Sequence, residues 1–136
     1  MLSELQFPFS VIGLSETKFK VDKDILTNVN IPGYDFISKP SLSNAGGVGF
    51  YVKNSVTFTV LSEMSVTKED FEALWIEINC EGQSNLICGV VYRHPNGNLD
   101  NFMDYIKKII EKIHHQNKYS LIMGDLNIDF LNSCKP

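Results

Sequence analysis

The stretch "ALWIEINCEGQSNLICGVVYRHPN", residues 73–96, carries the strongest indication of the fold. Two runs rich in isoleucine, valine and aromatic residues, 73–80 and 85–92, enclose the polar tetrapeptide EGQS. β-Branched and aromatic residues favour strands, and a short polar connection that contains glycine is typical of an antiparallel hairpin. We therefore predict that these two runs are neighbouring antiparallel strands.

An amphipathic helix is predicted directly after the hairpin, within residues 99–116. Its isoleucines and Phe102 recur at helical spacing, and charged residues occupy the other positions, so that one face can pack on a sheet. Asn98 is the predicted N-cap, and Asp100 lies in the first turn, where the helix dipole favours an acid. The run "YSLIMGD", residues 119–125, then predicts another strand.

The residues before the hairpin also indicate β-structure. Short apolar runs are separated by polar residues, glycine and proline, and they lie at 9–16, 34–37, 48–52 and 56–61. We expect the run at 48–52 to pair with the run at 56–61 as a hairpin. The predicted fold class is therefore α/β, with a mostly antiparallel or mixed sheet and at least one packed helix.

The composition is that of an ordinary soluble globular domain, since 43% of the 136 residues are hydrophobic and 21% are charged. A formal net charge of -4 argues against coating nucleic acid by bulk electrostatics. It does not exclude a nuclease that brings a divalent cation to its carboxylates. No apolar run is long enough to span a membrane and no signal peptide begins the sequence, so we expect an intracellular protein, nuclear or cytoplasmic.

The cysteines do not indicate a disulfide framework or a zinc site. Cys80, Cys88 and Cys134 are odd in number and show no C-x-x-C spacing. We interpret Cys80 and Cys88 as small buried strand residues.

Polar residues follow three of the predicted strands. Glu16 ends the first run, Tyr92 and Arg93 end the second hairpin strand, and Asp125 and Asn127 follow the last strand. Along an extended chain, Asp125 and Asn127 would lie on one face. Strand ends of one sheet can meet, and carboxylates there suit Mg²⁺, which often binds one or two protein carboxylates.

Arg93 is the only arginine of the sequence. Its planar set of donors suits bidentate recognition of a phosphate or a carboxylate. From spacing alone, an ordinary surface salt bridge is the stronger interpretation. The motifs by themselves therefore indicate an α/β domain that could carry a metal-assisted phosphoryl site.

The ordered set of motifs resembles the endonuclease domain of LINE-type (non-LTR) retrotransposon reverse transcriptase polyproteins, which belongs to the endonuclease/exonuclease/phosphatase superfamily. The resemblance covers roughly residues 9–131 and rests on "VIGLSETKFK", "IPGYDFIS", "GGVGFYVK", "ALWIEI", "LICGVVYRHPN" and "SLIMGDLNIDFL". It implies the N-terminal half of the four-layer α/β sandwich of DNase I-like proteins. Residues 1–136 would then form a single partial domain whose C-terminal half is absent, encoding little more than one of the two sheets.

The resemblance also implies a reaction, the Mg²⁺- or Mn²⁺-assisted hydrolysis of a DNA phosphodiester that nicks the target of a retrotransposon. In this sequence Glu16 resembles the metal-binding glutamate, and Tyr92 the tyrosine that contacts the scissile phosphate or supports the leaving group. Asp125 would orient or activate the attacking water, and Asn127 would fix the geometry of the phosphate and of Asp125. The family pattern "VYRPPN" further implies substrate contacts from Arg93 and Asn96, with His94 at a position where proline is common.

Two departures from the family pattern leave alternatives open. No residue before Phe9 matches the family's first-strand asparagine, and all three histidines precede Asp125, so none matches its closing histidine. We therefore expect impaired catalysis, because positioned catalytic groups act non-additively. One alternative is a catalytically inactive, retrotransposon-derived interaction module that pairs with itself or a partner through an exposed sheet face. Another is a phosphatase or RNA-acting relative of the same superfamily.

Overall fold

The computed structural model describes residues 9–19, 29–129 and 131. Its elements, in chain order, are the strands β1 (Val11–Ser15), β2 (Tyr34–Lys39), β3 (Val48–Lys53), β4 (Phe58–Val60), β5 (Val66–Thr67), β6 (Phe71–Ile78) and β7 (Leu86–Arg93), the helix α1 (Leu99–His115) and the strand β8 (Tyr119–Asp125). The predicted α/β class is confirmed. No helix in these ranges is long and apolar enough to cross a membrane.

The strands form two sheets. The small sheet has the order β1-β3-β2 and is antiparallel throughout. The large sheet has the order β4-β6-β7-β8, and β5 also pairs with β6. β6 and β7 form the predicted antiparallel hairpin, whereas β8 runs parallel to β7 after the crossover through α1. The prediction of a mostly antiparallel or mixed sheet is confirmed.

The two sheets pack face to face over an apolar core. Alternate residues of β3 point to the core and are completely buried, as the period of a strand requires: Val48, Phe50 and Val52. They pack against the facing side of β6 and β7, which contributes Leu74, Ile76, Cys88, Val90 and Tyr92. The expectation that the chain encodes little more than one sheet is therefore wrong, because β1, β2 and β3 pair with one another as a separate sheet.

The helix α1 covers the opposite face of the large sheet. Its buried residues Phe102, Ile109 and Ile113 pack against Phe71 and Trp75 of β6. Asn98 caps it as predicted, since the Asn98 side chain accepts a hydrogen bond from the backbone N–H of Asn101 at 3.0 Å.

One predicted strand pairing is wrong. β4 does not pair with β3 but with β6, so that Phe58 lies opposite Ile78 in the large sheet. After β3 the backbone N–H of Val56 donates to the carbonyl of Lys53 at 2.8 Å, and this turn carries the chain from the small sheet to the large one.

The cysteines differ in their positions. Cys88 lies in β7 and is buried, as predicted. Cys80 is half-buried and follows the end of β6, so its interpretation as a buried strand residue is wrong. The turn 80–83, in which Gln83 N–H donates to the Cys80 carbonyl, ends the strand before that residue. Cys134 lies outside the described residues.

Stability is expected to fall at alkaline pH. Burial raises the pKa of the Cys88 thiol to about 11 and that of the Tyr105 phenol to about 12. Both groups bind their protons more tightly in the folded state, so their contribution is complete below the ordinary pKa values and is lost as pH rises through the folded ones. For Cys88 the loss is about 2–3 kcal/mol of the free energy of unfolding.

Urea unfolding followed by circular dichroism between pH 7 and pH 12 measures this effect. The Cys88→Ala variant lacks the thiol, so its decline should begin about one pH unit later, at the ordinary pKa of tyrosine. Parallel curves for the variant and the wild type would contradict the assignment to Cys88.

Candidate active site

The parallel pairing of β7 with β8 brings Tyr92 beside Asp125, because the two residues are Cα partners at the last position of the ladder. Only 3% of the Tyr92 surface is exposed, and Asp125 is half-buried. The carboxyl end of each strand faces the same rim of the large sheet. This rim is where the sequence motifs predict the site.

Asn127 reaches the rim through a turn. The backbone N–H of Asn127 donates to Oδ1 of Asp125 at 2.9 Å, and Asn127 itself has a φ of 47°. The expectation of an extended chain through Asn127 is wrong, because this side chain–backbone bond competes with continuation of the strand. The Asn127 side-chain amide donates to the carbonyl of Arg93 at 2.7 Å, which ties the turn to the end of β7.

Arg93 is buried, with 6% of its surface exposed, so it is not the surface residue that spacing alone favours. Its Nε donates to the carbonyl of Leu126 at 2.8 Å, and its Nη1 donates to the carbonyl of Gly97 at 2.7 Å. Its Nη2 donates to the carbonyl of Asn127. These contacts fix the turn after β8, and they favour a positioning role for Arg93. Contact with a substrate phosphate stays a prediction.

Glu16 reaches the same rim from the small sheet. It is exposed and follows β1 in a left-handed conformation, with a φ of 54°. β1 packs closely over β8, since a Cβ atom placed on Gly13 would lie 3.2 Å from the sulfur of Met123. Glu16 is three residues beyond Gly13, and Asp125 is two residues beyond Met123, so the ends of β1 and β8 lead to one region.

A pair of glycines holds the backbone next to Glu16. The carbonyls of Gly46 and Gly47 accept hydrogen bonds from the N–H groups of Lys18 at 2.7 Å and Thr17 at 3.2 Å. Gly47 has a φ of +86°, and a Cβ there would lie 2.5 Å from Oγ1 of Thr17. The "GGVG" motif therefore supports the loop that carries Glu16.

The electrostatics of Tyr92 show that these groups share one environment. The pKa of the Tyr92 phenol is raised by burial first, then by the charges of Glu16 and Asp125 and by Glu72, while a hydrogen bond with Asn127 lowers it. The structure thus places Tyr92, Asp125 and Asn127 at one rim, and the charge of Glu16 acts on the same phenol. With its pKa raised, the phenol stays protonated at neutral pH and can donate a hydrogen bond.

Asn96 is four residues beyond Tyr92, after the end of β7. It is exposed in the turn between β7 and α1. Its predicted substrate contact stays a prediction.

The residues fit a hard divalent cation. In the part of the chain that the structure describes, no group of three or more His, Cys, Asp or Glu side chains could hold a metal ion. Mg²⁺ does not require such a group, because it commonly binds one or two carboxylates and keeps water and phosphate oxygens as its other ligands. Glu16 and Asp125, whose charges both act on Tyr92, provide two carboxylates of that kind.

Sequence reasoning missed a buried polar cluster beside Tyr92. Glu72 of β6 is completely buried, and its Oε1 lies 2.5 Å from Oγ of Ser41 and 2.8 Å from Nε2 of His94. Its Oε2 has no hydrogen-bond partner among the residues that the structure describes. The signal in the sequence is an acid that precedes the apolar run "ALWI" within one strand, a position at which charge is costly unless it is bonded.

Comparisons with known proteins agree with the geometry. In the solved structures, the fold is similar to the "Endonuclease domain of TRAS1, a telomere-specific non-LTR retrotransposon", with a TM-score of 0.59 and 13% sequence identity. The match covers 74% of this chain and 44% of that one, so this chain spans less than half of that structure. At this identity, the similarity shows the fold alone. A comparison with curated protein sequences gives no match.

The sequence profile of the endonuclease/exonuclease/phosphatase family matches residues 4–132. This range includes every strand of both sheets and the rim with Glu16, Tyr92 and Asp125. It confirms the resemblance that the ordered motifs indicate. The chain therefore belongs to the endonuclease/exonuclease/phosphatase family.

Proposed function

We propose that this chain carries the phosphodiester-hydrolysing site of a DNA endonuclease of the non-LTR retrotransposon type. The observation that supports the proposal most strongly is the parallel pairing that sets Tyr92 beside Asp125 at one rim, with the charge of Glu16 from the small sheet acting on the same phenol. Polar groups from two sheets meet at one rim beside a protonated phenol. A structural role alone does not require two carboxylates in that place.

Asp125 is the residue that would act on the attacking water. Its Oδ1 accepts the N–H of Asn127 at 2.9 Å, which fixes the carboxylate plane and leaves Oδ2 to accept a proton or hydrogen bond from water. Positioning of this kind is a large part of how general bases accelerate hydrolysis. Asn127 therefore serves the geometry of Asp125 in the proposed reaction.

Tyr92 would donate a hydrogen bond to a phosphate oxygen. A tyrosine phenol is protonated at neutral pH, and burial and the neighbouring carboxylates raise the pKa of Tyr92 further. A preorganised donor aimed at developing negative charge stabilises the transition state without reorganisation of solvent.

Glu16 would hold Mg²⁺ or Mn²⁺ at this rim. A bound divalent cation supplies charge neutralisation and Lewis acidity toward a phosphoryl oxygen. The proposal explains how a protein of formal net charge -4 can receive a polyanion at a rim that itself carries carboxylates. DNA is the proposed substrate.

A second candidate function is an inactive interaction module. Three apolar residues of β8, at the edge of the large sheet, are exposed by 75%, 50% and 37%: Tyr119, Leu121 and Ile122. An unpaired edge strand with exposed apolar side chains is suited to association with another chain. Under this alternative the chain associates but does not hydrolyse DNA.

Nicking of supercoiled plasmid by the purified chain tests the proposal. With Mg²⁺ we expect conversion to the open circle, and EDTA should abolish it. Asp125→Asn should reduce the rate by on the order of 10²–10⁴-fold, the usual contribution of a positioned general base.

Asp104→Asn is the matched control, because Asp104 is an exposed acid of α1 and loses the same charge. It should nick at the wild-type rate. A folded wild-type chain that does not nick would contradict the endonuclease proposal and leave the interaction module.

A further inference from the structure

The proposed site is divided between two sheets. Glu16 follows β1 of the small sheet, whereas Tyr92 and Asp125 end strands of the large sheet. The core between the sheets is apolar, and apolar contacts are non-directional. A catalytic geometry that spans both sheets therefore needs a directional link near the rim.

Glu72 occupies the position where such a link would act. It is the Cα partner of Tyr92 on the neighbouring strand β6, and none of its surface is exposed. Burying a carboxyl group costs free energy unless it is hydrogen-bonded. Losing either partner of Glu72 would therefore be destabilising, which favours keeping both in place. Ser41 follows β2 of the small sheet, and His94 follows β7 of the large sheet.

One branch of this link leads to the loop of Glu16. Oγ of Ser41 lies 2.5 Å from Oε1 of Glu72 and 3.0 Å from the carbonyl of Ala45. Gly46 follows, and a Cβ atom placed on it would lie 2.9 Å from Oε2 of Glu72. The carbonyl of Gly46 accepts the N–H of Lys18 at 2.7 Å, two residues beyond Glu16.

The other branch leads to Tyr92. Nε2 of His94 lies 2.8 Å from Oε1 of Glu72, and 15% of the His94 side chain is exposed. The edge of one ring meets the face of the other, with 5.0 Å between the ring centroids of Tyr92 and His94 and an angle of 79° between their planes. The imidazole, held by Glu72, therefore supports the Tyr92 ring from the side.

We propose that Glu72 and His94 form a positioning pair that fixes the Glu16 loop of the small sheet relative to Tyr92 of the large sheet. The catalytic consequence rests on the proposed endonuclease function. The link between the two sheets does not rest on that function, because it concerns contacts within the folded chain.

Amide hydrogen exchange of the 136-residue chain tests the link directly. In Glu72→Leu, which loses both acceptor contacts, exchange at Thr17 and Lys18 should accelerate about tenfold more than exchange at Ile109 and Ile113 of α1. In Glu72→Gln, whose side-chain oxygen can accept both bonds, protection should return. Unchanged exchange at Thr17 and Lys18 would overturn the proposal.

The matched control is Glu77→Leu on the same strand. Glu77 accepts hydrogen bonds from Asn85 at 2.9 Å and Lys118 at 2.6 Å, at the end of β6 remote from Tyr92. It should leave Thr17 and Lys18 protected. Equal acceleration there in both variants would show that Glu72 contributes general stability only.

Ser41→Ala provides a milder test in case Glu72→Leu does not fold. It removes one donor to Glu72 and leaves the carboxyl group bonded to His94. It should still accelerate exchange selectively at Thr17 and Lys18. Uniform acceleration across both sheets and α1, in this variant, would overturn the link.

Nicking kinetics separate a positioning role from a structural one. Glu72→Leu should lower kcat about tenfold and leave KM for DNA within about twofold, whereas Glu72→Gln should restore kcat. If the wild-type chain does not nick DNA at all, the endonuclease proposal fails, and the exchange data still decide whether Glu72 holds the Glu16 loop.

Discussion

Gly124→Ala is expected to reduce the free energy of unfolding by on the order of 3–5 kcal/mol, which is a large part of the stability of a domain of this size. Gly124 has a φ of +127°, and a Cβ atom there would lie 1.9 Å from the carbonyl oxygen of Val91. That oxygen belongs to the backbone of β7, so it cannot move without disrupting the β7–β8 ladder. Urea unfolding followed by circular dichroism measures the effect.

Gly82→Ala is the control for this prediction. Gly82 also has a positive φ, +72°, but a Cβ atom there would meet nothing within 4 Å in the described part of the chain. Its cost should be only about 1 kcal/mol, from backbone conformation alone. Equal losses of stability in the two variants would mean that the contact with Val91 does not constrain the end of β8.

Arg93→Lys is expected to produce the second large effect. A lysine carries its donors on a single nitrogen and cannot reproduce the planar fork with which Arg93 bonds the carbonyls of Leu126, Gly97 and Asn127. Leaving these half-buried carbonyls without donors should reduce the free energy of unfolding by about 2–4 kcal/mol. The turn that orients Asp125 should loosen, and kcat for nicking should fall by about 10²-fold, as misplacement of a catalytic group does.

This substitution also separates the two interpretations of Arg93. If Arg93 binds substrate phosphate, Arg93→Lys should raise KM for DNA with little change in stability. If it positions the turn, stability and kcat should fall together at nearly constant KM. Lys118→Met is the control, because it removes a cation bonded to Glu77 at the opposite end of the large sheet. It should leave kcat unchanged.

Features set by neighbouring residues could be predicted from the sequence. The β6–β7 hairpin follows from a short polar connection between two β-rich runs, and the Asn98 cap follows from its place before an amphipathic pattern. Pairing between distant strands could not be predicted in the same way. β4 pairs with β6 in the large sheet. The short stretch of sequence between β3 and β4 is equally compatible with a β3–β4 hairpin, so the local sequence does not distinguish the two pairings.

The same distinction between local and long-range features applies to the candidate site. Strand ends and the ordered motifs indicated Glu16, Tyr92, Asp125 and Asn127; the structure places the last three at one rim, with the charge of Glu16 acting on Tyr92. The contacts of Arg93 with three carbonyls depend on the turn after β8. The sequence pattern predicts an extended chain there, so these contacts could not be foreseen. The partners of Glu72 come from loops that follow β2 and β7, and only the packed sheets bring those loops together.

The central claim is that Glu16 of the small sheet holds a divalent cation at the rim where Tyr92 and Asp125 of the large sheet lie. Substoichiometric Mn²⁺, added to the ¹⁵N-labelled chain, tests it most directly, because paramagnetic broadening reports proximity without requiring activity. We expect the amides of Thr17, Tyr92 and Leu126 to broaden together, excess Mg²⁺ to reverse the broadening, and Glu16→Gln to abolish it. Broadening confined to one sheet, or unaffected by Glu16→Gln, would contradict the claim.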